Sequence, residues 1–317
     1  KKVSQEIFSK RPGFSPGPLL FVVELVMGKI SGVVVVWLAA AVSVGFIGVS
    51  GAAAAGEFVP TGSMGEARNG ASMVVLPDGK VLVAGGIDND QLSPFLSSAE
   101  IYDPQLGTFT PTGSMVTPRS GAMAGLLDDG RVVVAGGADS PTTASISADI
   151  YDPATGTFTP TGSLGVARMD AASVMLSNGW LFAAGGTSSG FGAALATSTF
   201  FDRTGGINHT GLFFGSGSMS EARDGAMAVL LDGDRVLVAG GQFNFSTFLS
   251  TAEVWSRDSG QFTGTGSMDS PHVAGTASNL PGNKVLVAGG RSDPSTTTGS
   301  AEVYDAAGGT FSGTGGL

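Results

Sequence analysis

The sequence predicts an all-β repeat fold, on three observations. A stretch from Gly62 to Pro111 is followed by four more versions of itself, with Gly-Ser starts at Gly62, Gly113, Gly162, Gly217 and Gly266; the period is about fifty residues. Each copy holds two short apolar runs around a tight turn, the second run closed by a double glycine. Glycine is abundant (51 residues) and charge is sparse (13%), which suits many turns between short buried strands better than long solvated helices. A unit of this size cannot bury its own faces, so the copies must pack into one domain.

In chain order, residues 1–26 come first and read as a leader without structure, since Pro12, Pro16, Pro18 and Glu24 spoil any membrane segment there. From Ile30 to Ala55 no residue is charged; Lys29 stands just before, and Ala53 and Ala55 precede Gly56. A basic lead, an apolar core and an Ala-x-Ala ending is the layout of a secretory signal, here over 27–55, with a mature chain from near Gly56. The alternative is an uncleaved apolar helix that anchors the protein through residues 30–55.

Residues 56–317 form the repeat domain, with copies near 62–112, 113–161, 162–216, 217–265 and 266–313. In the first copy, Ala71 to Leu76 and Val81 to Ala84 are predicted strands around Asp78-Gly79. The equivalent turns are Asp129-Gly130, Asn178-Gly179, Gly233-Asp234 and Gly282-Asn283, dipeptides that accept positive φ and close β-hairpins. Both runs are apolar on successive residues, as expected of strands covered on two faces. The double glycines (Gly85-Gly86, Gly136-Gly137, Gly185-Gly186, Gly240-Gly241, Gly289-Gly290) lie at one distance from each start, and the loops after them vary. A third strand ends in Tyr102, Tyr151, Phe201, Trp255 or Tyr304, and a fourth carries Phe109, Phe158, Phe213, Phe262 or Phe311. Copy three reaches Phe213 only by admitting an insertion around Gly205 to Leu212.

Four strands, a Gly-Gly pair closing the second, Tyr-Asp-Pro closing the third and an aromatic in the fourth resemble the kelch blade. The resemblance covers Gly62 to Phe311 and implies a kelch-type β-propeller of five four-stranded blades. This chain departs from the family in carrying Val or Ala shortly before Gly-Gly and Phe in the last strand. Gly56 to Gly62 copies Gly107 to Gly113, and Thr314 to Leu317 reads as the opening of a sixth copy. The expectation is therefore five blades, either as an open or strained ring or with the Phe58 strand left at an edge, with one or more blades missing at the C-terminus.

Composition excludes several functions. The formal net charge of −10, with five of the sixteen basic residues before Ala55, argues against nucleic acid. With no cysteine there is no disulfide, thiolate site or cysteine nucleophile. Some secreted kelch propellers resemble galactose oxidase, whose copper centre implies a thioether-linked tyrosine and histidine ligands; without cysteine, and with only His209 and His272, that centre cannot be assembled. Asp88-Asn89-Asp90 supplies too few oxygens for calcium. No catalytic set, metal site or cofactor is identified.

One basic residue precedes the first strand of every copy: Arg68, Arg119, Arg168, Arg223 and His272. Propeller geometry makes a repeated slot into a ring, so these five are the predicted ligand-binding residues on the face of the variable loops, where guanidinium groups grip oxyanions. The competing reading pairs each with a local acid, Glu100, Asp149, Glu253 or Glu302, as a part of the architecture. The loops 87–94, 138–143, 187–194, 242–249 and 291–298 open on that face, with Phe95, Phe191, Phe243, Phe245 and Phe248 available for stacking. The functional expectation is a secreted, periplasmic or cell-surface binding module for an extracellular protein or glycan. The alternatives are a sugar-acid mutarotase-like enzyme, which the family resemblance suggests, and a structural blade array within a longer surface protein.

Overall fold

A computed structural model describes residues 60–88, 95–190, 192–205 and 211–317. The expected leader, the apolar segment at 27–55 and Phe58 lie outside the described residues. All regular structure described is β, in five four-stranded antiparallel sheets and one two-stranded ribbon. Blade one comprises β1 (Ser72–Val75), β2 (Val81–Ala84), β3 (Ala99–Asp103) and β4 (Thr108–Thr112). Blade two comprises β5 (Met123–Leu126), β6 (Val132–Ala135), β7 (Ala148–Asp152) and β8 (Thr157–Pro160), and blade three β9 (Ala172–Met175), β10 (Leu181–Ala184), β11 (Thr197–Asp202) and β12 (Leu212–Ser218). Blade four is built of β13 (Met227–Leu231), β14 (Arg235–Ala239), β17 (Ala252–Ser256) and β18 (Gln261–Gly264), with the ribbon β15 (Gln242–Asn244) and β16 (Thr247–Phe248) rising from it. Blade five comprises β19 (Thr276–Leu280), β20 (Lys284–Ala288), β21 (Ala301–Asp305) and β22 (Thr310–Gly313). Strand order is sequential in every blade.

The turn chemistry read from the sequence is present. Gly79, Gly130 and Gly179 have φ of 85°, 83° and 78°, and the inverted pairs Gly233-Asp234 and Gly282-Asn283 hold both residues at positive φ, as a two-residue hairpin turn requires. Tyr102 pairs across strands with Phe109 and Phe201 with Phe213, ring centroids 4.7 and 4.8 Å apart, so copy three uses Phe213 as its spacing predicts. The starting glycine has a steric reason. Gly62 N–H donates to Gly107 O at 2.8 Å, and a Cβ on Gly62 would stand 2.3 Å from that oxygen.

The innermost strands run side by side in the order β1, β5, β9, β13, β19. Between blades lie four apolar layers, in which the second and third strands of one sheet face those of the next. Leu82 and Ala84 meet Val132, Val134 and Tyr151; Val133 and Ile150 meet Leu181 and Phe201. Phe182 and Phe200 meet Val236 and Trp255, and Leu237 and Val254 meet Val285 and Tyr304. Alternate residues of one strand therefore serve two neighbours, which is why these runs are apolar without a break.

Backbone bonds repeat the same order. The second glycine of a blade donates to the carbonyl of the next basic residue: Gly86 to Arg119 (2.7 Å), then Gly137 to Arg168, Gly186 to Arg223 and Gly241 to His272 (each 2.9 Å). Around the axis, Gly121 N–H donates to Gly70 O, Asp170 to Gly121, Gly225 to Asp170 and Ala274 to Gly225. Neither series closes: Gly290 N–H does not reach Arg68 O, nor Gly70 N–H the carbonyl of Ala274. Five blades thus form an open arc among the described residues, as the sequence led us to expect.

Candidate functional site

The five predicted site residues occupy equivalent stations just before the innermost strands. Burying a cation is costly unless its donors find acceptors, and each blade supplies them. Arg119 Nη1 donates to the carbonyls of Gly136 and Ser147, both at 2.8 Å, and Nη2 to Ser147 Oγ and Asp149 Oδ2 at 2.8 and 2.9 Å. Arg68 repeats this with Gly85, Ser98 and Glu100, and Arg223 with Gly240, Thr251 and Glu253. His272 substitutes for Arg in blade five, with Nδ1 2.7 Å from Gly289 O and Nε2 3.4 Å from Glu302. Each side chain ties the double-glycine turn to the third strand of its own blade, and the backbone carbonyls of Arg119, Arg168, Arg223 and His272 receive the preceding blade. These five groups are turned inward, at most 2% exposed in Arg119, Arg168, Arg223 and His272, and do not present a cationic ring to the loop face.

Blade three breaks the pattern. Thr199 stands where the others carry an acid, and its hydroxyl donates to Phe214 O instead. Arg168 is left with Gly185 O, Thr197 O and Thr197 Oγ1, and burial lowers its pKa to about 10.

Near the axis on this same face lies a second set of groups, not singled out by the sequence reading. Gly70, Gly121, Asp170, Gly225 and Ala274 all have φ between 52° and 69°. Glycine suits that conformation; Asp is the one residue of this ring with a polar side chain. Its carboxyl lies over Gly121, where a Cβ would fall 2.1 Å from Asp170 Oδ1. Asp224, one residue before Gly225, accepts from Gln242 Nε2 through Oδ2 at 3.3 Å, and its Oδ1 is buried without a hydrogen-bond partner. Burial pushes Asp170 up to about 7, aided by the charge of Asp224; burial likewise pushes Asp224 up to about 6, against the pull of Gln242, Gly225 N–H and Arg291. Both carboxyls are thus shifted from the usual aspartate range toward neutrality, mainly by burial. The readable sign was the irregularity itself: an Asp in a slot otherwise filled by glycine or alanine.

The loops divide into two groups. In blades one to three they lie against one another: Phe95 packs on Ala138, Ala144 and Met169, and Gly190 N–H reaches Thr142 O at 3.3 Å. In blade four the ribbon β15–β16 stands free, with Phe243 46% and Phe245 63% exposed. Phe248 at its base lies under the Arg291 guanidinium, 5.7 Å from the ring centroid, a favourable cation–π distance. Phe191, Asn89, Asp90 and His209 fall outside the described residues. Asp88 is buried, and no group of acids and histidines able to hold a metal occurs among the described residues.

The opposite face behaves otherwise. Two of its contacts cross between blades, Arg203 with Asp128 at 2.9 Å and Ser177 Oγ with Asp234 at 2.6 Å, the latter carboxylate being held by Arg257 of its own blade at 2.6 Å. They act as lateral staples around the hairpin turns.

Comparison with known proteins bears on the fold. The family model for the Kelch motif matches residues 67–116. A search of curated proteins gave no match. The solved structure of YjhT is similar at 13% identity, over 78% of this chain and 84% of that one, with a TM-score of 0.65. A fungal alcohol oxidase of the AA5 family, in complex with copper, is similar at 17% identity over 79% of this chain and 65% of its own length, with a TM-score of 0.53. Likeness at these identities speaks for architecture alone. The chain carries the kelch motif and folds as a kelch-type β-propeller.

Proposed function

We propose that this protein is a binding module, secreted or held at a cell surface, whose recognition surface is the loop face over blades three to five. The observation that carries this reading is an asymmetry. The repeated cations are consumed inside the blades, whereas one free ribbon offers Phe243 and Phe245 to solvent beside Asp170, Asp224, Gln242 and Arg291. Aromatic rings next to carboxyl and amide groups fit a glycan, whose apolar ring face stacks while its hydroxyls bridge polar side chains. An exposed protein loop is the other ligand of this class. The extracellular setting rests on the layout of residues 27–55.

Glycan-array and protein-capture measurements with the intact chain test the proposal. Binding should fall at least about tenfold in Phe243→Ala/Phe245→Ala, with the melting temperature unchanged because both rings are exposed. Ligand binding that survives this double substitution, or is lost on altering Arg203 and Asp128 at the other face, would sink the reading.

A sugar-acid mutarotase-like activity draws support from the same groups. Asp170, protonated near neutrality, could exchange a proton with a ring oxygen, and Arg291 could hold a substrate carboxylate. Anomer exchange followed by NMR separates the two: turnover abolished by Asp170→Asn favours the enzyme, and binding without turnover favours the module.

A further inference from the structure

Two carboxyls near the axis burden the fold without serving it. The stations Gly70, Gly121, Gly225 and Ala274 act through backbone alone, passing N–H groups and carbonyls from blade to blade. Asp170 makes the same backbone bonds at a φ of 54°, a conformation that penalises any residue with a Cβ, and the bonds do not need its carboxyl. That carboxyl meets burial and the charge of Asp224, with no hydrogen bond or cation working against them. Asp224 is only partly provided for. Its Oδ2 accepts from Gln242 and Arg291 pulls on its charge, yet its Oδ1 is buried without a donor. Buried acceptors left this way are uncommon in folded proteins and call for an explanation.

The surrounding face has one dominant sign of charge. Lys80, Arg131, Arg203, Arg235, Arg257 and Lys284 stand by the hairpin turns of the opposite face. Arg68, Arg119, Arg168, Arg223 and His272 are buried within their blades. Among the described residues this leaves Arg291 as the one cation of the loop face outside the blades, and its guanidinium already lies over Phe248. Glu66, Glu221 and Asp269 are exposed on the same face. Beside them the free ribbon presents Phe243 and Phe245, rings whose faces attract cations.

We infer that the loop face docks a basic segment of a partner protein through a lysine, whose ammonium is held by Asp170 and Asp224 while the segment lies along Phe243 and Phe245. The inference rests on the recognition surface proposed above and selects a ligand for it. An ammonium brings three donors and a compact charge, enough for the open Asp224 Oδ1 and the Asp170 carboxyl together, whereas a guanidinium fork is matched to one carboxylate gripped from a single side. The acidic face favours and steers a basic partner. The exposed acids and the ribbon extend beyond what a small amine would cover, which is the reason to assign a protein segment.

Short peptides with one central lysine, arrayed beside the same peptides with that lysine acetylated, test this on the intact chain. Lysine peptides should be held at least about tenfold more tightly than their acetylated counterparts, and the preference should vanish in Asp170→Asn and in Asp224→Asn. Neither variant should melt below the parent, because each removes a buried carboxyl short of partners. Affinity for the lysine peptides should rise between about pH 5 and about pH 8 as the two carboxyls ionise; they face each other and Arg291, and the other axis stations carry no charge. An array on which acetylation makes no difference overturns the inference, and so does a lysine preference that survives both Asn substitutions. A neutral glycan bound through Phe243 and Phe245 but indifferent to Asp170→Asn and Asp224→Asn removes the lysine and leaves the recognition surface standing. Spermidine bound as tightly as the peptides, and unaffected by Phe243→Ala/Phe245→Ala, marks a small-amine site and overturns the docking of a protein.

Discussion

Arg119 and Arg168 occupy equivalent stations and differ in one partner, so replacing each by methionine isolates the worth of that partner. Arg119→Met removes a guanidinium from Asp149, whose side chain is 2% exposed, and leaves a buried carboxylate without its cation; breaking such a pair costs about 3–5 kcal/mol. Arg168→Met strands no carboxylate, because Thr199 fills the acid position. It frees two carbonyls, of Gly185 and Thr197, at about 1–3 kcal/mol each, and in return removes a cation whose lowered pKa reports incomplete compensation. Relief of that desolvation is worth several kcal/mol and offsets most of the loss. The expected difference is about 3 kcal/mol in favour of Arg168→Met, or roughly 6–12 °C at this chain size. Urea unfolding followed by tryptophan fluorescence suits the measurement, since Trp180 and Trp255 pack in the layer between blades three and four. Thr199→Glu supplies the converse: it should raise stability by restoring the acid. Equal losses in the two methionine variants, within about 1 kcal/mol, together with a destabilised Thr199→Glu, would refute the argument that the missing acid matters.

Other outcomes follow from the same geometry. Asp170 and Asp224 have folded pKa values raised to about 7 and about 6, so the folded state binds more protons than the unfolded chain between pH 4 and 7. Stability should therefore fall as pH rises through that window and level off above it; a pH series of melting curves should show a flatter slope in Asp170→Asn, and an unchanged slope would contradict the placement. Gly85→Ala should cost several times more than Gly79→Ala, because a Cβ at Gly85 meets Arg119 O at 2.2 Å while one at Gly79 meets nothing within 4 Å and faces only the left-handed φ penalty of about 1–2 kcal/mol. Denaturant midpoints that rank the two equally would remove the close approach as the reason for the double glycine.

Much of the fold was legible because the repeat states it five times. Gly-Gly, the Asp-Gly type turns and the paired aromatics each have a local cause, positive φ or a cross-strand contact, and local causes survive translation from sequence to structure. For the arginines the sequence left two readings open, a ligand-binding ring and pairing with the acids of each blade. An arginine before a strand looks alike whether it faces solvent or turns inward, and the decision belongs to the Gly136 and Ser147 carbonyls, brought together only when the blade folds. Asp170 was hidden for the opposite reason. A search for shared features passes over the copy that differs, and in Asp170, as in Thr199, the informative residue is the exception to the repeat. The ribbon β15–β16 escaped notice because its strands are three and two residues long, too short for an alternating pattern.

The pinning of each blade to its own lead-in bears on how the chain acquires its structure in time. Thr61 Oγ1 shares a hydrogen bond with Tyr102 OH across 41 residues, Thr112 does so with Tyr151 across 39, and Thr265 with Tyr304 across 39. A blade is thus latched by residues that precede it in the chain, and leans otherwise on the neighbours next to it in sequence. Such a chain has low contact order relative to its length and can condense blade by blade, the first copies becoming ordered before the last are made. A growing polypeptide would then expose one unfinished apolar face at a time, which keeps the aggregation-prone surface small throughout synthesis.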